Sequence, residues 1–141
     1  MTTQIKSEHQ VEVPVRSSYL DKVLKADGIF ALFSGTLLVI AASPIANLIA
    51  LGQSTILIVL GLVLLGYGAM LLYSAGRENM NRQVAWLAII LNGIWVIASY
   101  LGLFLGWFPV NTAGNWAIAL VAEAVAIFAI LEFIALRRSK K

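Results

Sequence analysis

The 141-residue chain is 60% hydrophobic and only 12% charged, with a mean hydropathy of +0.89 and a formal charge of +3. Soluble domains run at about 45–50% apolar and about 25% charged, so a chain this apolar lacks the polar surface to cover itself in water. It has no cysteine, and its one histidine, His9, lies in a polar N-terminal stretch, which excludes disulfide frameworks, thiolate metal sites and histidine-held haem in the apolar part.

Residues 1–17 read as a polar tail with Pro14 near its end and no apolar core of a signal sequence, so the first hydrophobic segment is expected to persist as a span. Ser18-x-x-Asp21 fits an acidic capping box, and apolar periodicity begins directly after it. The turns that follow place Leu20, Val23 and Leu24 on one face, predicting an interfacial lead-in to a first span over 26–43 that Pro44 ends or kinks. The uncharged stretch 44–55 is open to two readings, a re-entrant turn or a short helix in the outer interface. Spans over 56–75, 84–108 and 115–136 follow, separated by the polar loop 76–83 and the breaker-rich turn 109–114, and a basic tail closes the chain at 137–141. No charged residue occurs between Asp27 and Arg77 or between Arg82 and Glu123. The fold class predicted is all-α, an integral-membrane bundle of four antiparallel helices over 18–136.

Every lysine and arginine lies before the first span, between the second and third, or after the fourth, and the other two loops carry none. The excess of basic residues on one side predicts cytoplasmic termini in a plasma (inner) membrane. The lipid bilayer is the expected partner, other membrane subunits or a second copy are open, and nucleic acid is not expected.

Lipid tails are as apolar as leucine, so small residues mark the faces where membrane helices approach. They recur at about 3.5-residue spacing, with Gly28 and Gly35 in the first span, Gly61 and Gly68 in the second, Gly102 and Gly106 in the third, and Ala122 and Ala126 in the fourth. That period predicts left-handed crossing near about +20°.

Carboxylates inside a bilayer each need an explanation. Glu123 is eight residues into the fourth predicted span, about 12 Å at 1.5 Å per residue. It reads either as a proton or cation site with Asn92, Trp95 and Ser99, or as a neutral glutamate fastening helices. Glu132, nine residues on and half a turn round the helix, is expected at the cytoplasmic rim, pairing with Arg137 and Arg138. Asp27 is expected to face inward near the same rim, within reach of Arg77 and Arg82. Trp86, Trp107 and Trp116 fall at span ends as an aromatic belt does, whereas Trp95 does not.

L-D-x-x-L-K-x-D at Leu20–Asp27, N-x-x-W-x-x-x-S at Asn92–Ser99 and a last span ending Glu132–Arg138 resemble a group of small bacterial four-helix membrane proteins. The resemblance implies a bacterial inner-membrane setting and no particular activity. No nucleophile constellation, metal cluster or phosphate loop is visible, so neither an enzyme nor a cofactor is expected. The expected role is an accessory or structural subunit of a larger membrane complex; the alternative is a small proton- or cation-coupled transporter or channel centred on Glu123.

Overall fold

The computed structural model describes residues 15–75 and 78–139, with side chains over 19–75 and 82–138. The lead up to Pro14, the Ser18 cap, Arg77 and the two C-terminal lysines lie outside these bounds. The described residues form five helices: α1 (Val15–Ile40), α2 (Ala42–Leu48), α3 (Thr55–Ser74), α4 (Glu78–Leu105) and α5 (Thr112–Ser139). Among the described residues four are long and apolar enough to cross a membrane, over Tyr19–Ile40, Thr55–Ser74, Arg82–Leu105 and Thr112–Arg138. The chain is an all-α, multi-pass membrane bundle.

Glycine determines how the first two spans meet. α1 and α3 pack antiparallel, with Gly28 against Gly68 and Gly35 against Gly61. A Cβ at Gly68 would stand 2.7 Å from the Gly28 carbonyl oxygen, and one at Gly61 2.7 Å from that of Gly35. Any larger residue forces the two backbones apart. α4 and α5 form a second antiparallel hairpin, and the two hairpins join mainly along α1 and α5, where the tilted rings of Phe30 and Phe128 meet with centres 5.4 Å apart.

The four helices knit together at one end, the face where α1 begins and α5 ends. Leu20, Val23 and Leu24 of α1 are buried there with Leu71 of α3, Val84, Ala85 and Ala88 of α4, and Ala135 and Leu136 of α5. This corrects the expected interfacial lead-in. α1 runs unbroken from Val15, and its first apolar face is bundle core because three other helices cover it.

The opposite face is built from turns. Pro44 does not stop the first span, which breaks earlier, at Ala41. Proline instead sits in the first turn of α2, where its missing N–H is an orphan in any helix. The uncharged stretch therefore contains a short helix. α4 ends at Leu105, three residues before the expected boundary, and Gly106 explains the stop. It takes φ +68°, and Trp107 N–H donates to the Gly102 carbonyl at 2.9 Å, the 6→1 closure of a Schellman cap. Gly106 is thus a helix terminator rather than a packing glycine, and Gly102 makes room for the Phe108 ring that folds back on it. α2 closes the same way on a residue less suited to it: Ala50 has φ 57°, and Leu51 N–H donates to Ala46 O at 2.8 Å.

Asn111 links the two hairpins at this face. Its side chain caps α5, accepting from Gly114 N–H at 2.9 Å. Its amide donates to Leu48 O and its backbone N–H to Ile49 O, both at 2.9 Å, so one residue satisfies the start of α5 and the end of α2.

Two measurements of thermal unfolding in detergent check this packing. Gly68→Ala should lower stability by about 1–3 kcal/mol through overpacking, whereas Gly66→Ala, with nothing within 4 Å of its Cβ position, should be close to neutral. Ala50→Gly should raise stability by about 1 kcal/mol, because glycine removes the left-handed penalty an alanine carries.

Candidate functional site

Each spanning helix contributes one polar side chain to a single buried cluster: Asp27 of α1, Tyr67 of α3, Asn92 of α4 and Glu132 of α5. Asp27, Asn92 and Glu132 are 3%, 6% and 0% exposed. The carboxylates lie well inside the spans. Asp27 is eight residues beyond Tyr19 and Glu132 six before Arg138, about 12 and 9 Å of helix rise from those span ends.

Asn92 holds the cluster together. Its amide nitrogen donates to Asp27 Oδ2 at 3.0 Å and to Glu132 Oε2 at 3.2 Å, so one NH2 group bridges two carboxyls. The Tyr67 hydroxyl lies 2.9 Å from Asp27 Oδ2 and 3.2 Å from Asn92 Oδ1. Having a single hydrogen, it donates to one of them at a time. Among the described residues two buried polar atoms have no partner: Glu132 Oε1 and the indole Nε1 of Trp95, one turn along α4 from Asn92.

No basic side chain among the described residues is buried with these acids. Arg137 and Arg138 are exposed, and their guanidinium groups lie over the rings of Phe133 at 5.6 Å and Tyr19 at 5.8 Å. This differs from the expected rim ion pairs. Glu132 points away from the arginines that follow it, into the bundle, and bonds to Asn92. Asp27 does continue the inward line Leu20, Leu24, Asp27, Ala31, all of them buried, but it meets Tyr67 and Asn92. Arg82 is exposed.

Glu123 occupies the opposite situation. It is exposed on the outer surface of α5 and accepts a hydrogen bond from the Tyr100 hydroxyl of α4 at 2.5 Å. The structure does not bring it together with Asn92, Trp95 and Ser99, which lie along the inner line of α4. Asn92 joins the other carboxylate of α5, and Ser99, also buried, lies two turns away from it.

Residue spacing held a signal that distinguishes the two glutamates. Ala122, Ala126 and Ala129 run along the inner face of α5, and a further step of three reaches Glu132. Glu123 is one residue, or about 100°, off Ala122. Tyr67 escaped sequence reasoning; its one cue was a tyrosine inside a span, away from either end, beside the packing glycine Gly68. Among the described residues no group of three or more acidic, histidine or cysteine side chains is arranged to hold a metal ion.

Comparison with protein-family models, curated proteins and solved structures finds no match.

Asn92→Leu should cost about 2–3 kcal/mol of stability, since two buried acids lose their shared donor. Tyr67→Phe removes one hydroxyl and should cost about 0.6–2 kcal/mol. Denaturant unfolding in mixed micelles would rank the two, and the reverse order would contradict the bridging role.

Proposed function

We propose that this chain is a non-enzymatic, proton- or cation-coupled transporter or channel whose ion-handling site is the Asp27–Asn92–Glu132 cluster with Tyr67. The observation that carries the proposal is the pair of buried carboxyls bridged by one amide, with no buried base beside them among the described residues. A cluster selected only to fasten helices would do better with opposite charges or with apolar side chains of similar volume. Two acids around a single amide hold together on sharing a proton or on taking up a cation, because two unpaired negative charges at this depth are prohibitive. Exchange of that proton or cation is the elementary event of coupled transport.

The residues divide the work. Asp27 and Glu132 supply the exchangeable charge, Asn92 holds their oxygens toward each other, and Tyr67 offers Asp27 a hydroxyl that can turn to Asn92 instead. Glu132 Oε1, which no donor reaches among the described residues, adds an acceptor to the pair. This reading departs from the accessory role expected from the sequence and moves the ion site from Glu123 to Glu132.

The same proposal places the protein in a bacterial inner membrane with both termini cytoplasmic. The motif resemblance supports the setting. The basic residues support the orientation: Lys22, Lys25, Arg82, Arg137 and Arg138 are all exposed and lie at the face where α1 begins and α5 ends.

Reconstitution in liposomes carrying a pH-sensitive dye tests the function. Under an imposed sodium or potassium gradient, the parent chain should move protons, and Asp27→Asn and Glu132→Gln should each abolish the signal while remaining monodisperse. Glu123→Gln should keep it. Absence of any proton-linked flux in the parent, or flux that survives Glu132→Gln, would refute the assignment.

A further inference from the structure

Glu123 lies outside the proposed ion site, deep within the α5 span, and it faces the bilayer. It lies eleven residues from the start of the α5 span, about 16 Å of helix rise, with Tyr100 bonded to Oε1. Lipid tails offer nothing to its second oxygen. A carboxyl at such depth requires polar company, and among the described residues its hydrogen-bond partner is Tyr100.

The residues around it form a seam. Trp116, Leu120, Glu123, Ile127, Ile130 and Ile134 follow one another in alternating steps of four and three, and all are exposed. Trp116, Leu120, Ile127 and Ile130 are each more than half exposed. A period of 3.5 is the period at which two helices remain in contact over many turns. The apolar members alone demand no partner, since hydrocarbon solvates them as well as protein does. α4 provides an internal comparison: Ile90, Ile94, Ile97, Leu101 and Phe104 make an outward seam of the same rhythm with no polar member. Glu123 is what sets the α5 seam apart.

We propose that the α5 seam is the contact surface for a second copy of this chain, packed parallel about a two-fold axis along the membrane normal, with Glu123 meeting the partner's Glu123 at that axis. Any partner must bring a polar group to the depth of Glu123. A copy inserted in the same orientation does so by symmetry, because an isologous contact places each residue on the axis opposite itself. One carboxyl donates a hydrogen bond and the other accepts it, while each Tyr100 hydroxyl holds the remaining oxygen. A single polar residue within an apolar 3.5-residue seam also sets register, as it does in soluble coiled coils. The proposal is independent of the ion site, which lies in the inner face of the bundle.

The chain contains no cysteine, so single cysteines can be placed without altering its background. In liposomes of the full-length protein, oxidation should cross-link Leu120→Cys and Ile127→Cys into dimers, and Val63→Cys on the exposed face of α3 should cross-link far less. Measured by energy transfer between labelled copies as lipid is added, Glu123→Leu should weaken dimerisation about tenfold, whereas Glu123→Gln, whose amide both donates and accepts, should preserve it. Circular dichroism and monodispersity of the Glu123→Leu chain report its fold, which a lipid-facing leucine should leave intact. Equal cross-linking at Val63 and at the seam, or a dimer indifferent to Glu123→Leu, would overturn the proposal. So would seam cysteines that, in native membranes, cross-link to a different protein and not to a second copy.

Discussion

One amide group shared between two carboxyls is the constraint around which this bundle is arranged. Asn92 reaches Asp27 and Glu132 with the two hydrogens of a single nitrogen, so α1, α4 and α5 must hold their rotation and depth together to within a hydrogen-bond length. Tyr67 adds α3 to the same requirement. A buried polar cluster in hydrocarbon has no water to fall back on, and a slip of any helix would strand a donor or an acceptor. The apolar contacts around it are more forgiving. Leucine against leucine tolerates small rotations that a bridging amide does not.

The packing is suited to that constraint. Glycines bring the backbones of α1 and α3 into direct contact, which lets a side chain leaving α3 one residue before Gly68 reach the carboxylate of α1. Core residues from all four spanning helices gather at the face where α1 begins and α5 ends, close to the polar cluster. At the other face the contacts are local: Ala42, Ala46 and Leu57 bury one another within the first hairpin, and Asn111 links that hairpin to the second. The bundle is thus anchored most fully at the level of its buried acids.

The two glutamates of α5 illustrate how helical geometry separates roles. Nine residues apart, they point to opposite sides of one helix, so no single environment can serve both. Glu132 lies on the alanine line and is drawn inside, where it meets an amide and a second acid. Glu123 lies off that line and is left at the surface with one tyrosine. The same chemistry therefore raises two different questions, one about an exchangeable ion and one about what lies against the outside of the helix.

By itself the sequence determined the number of spans, the helical class, the inward line of Asp27 and the glycines that bring α1 against α3. These follow from hydropathy, from a 3.5-residue spacing of small residues and from the absence of charge over long stretches, all properties of one segment at a time. Depth estimates made along a single helix singled out Glu123, and proximity in sequence assigned Glu132 to the arginines that follow it. Only the tertiary structure decided that Glu132 turns inward to share Asn92 with Asp27, that Tyr67 belongs with them, and that Gly106 ends a helix instead of packing one. The reason is rotational: a helix carries its side chains at 100° intervals, and which interval faces the bundle is set by the other three helices.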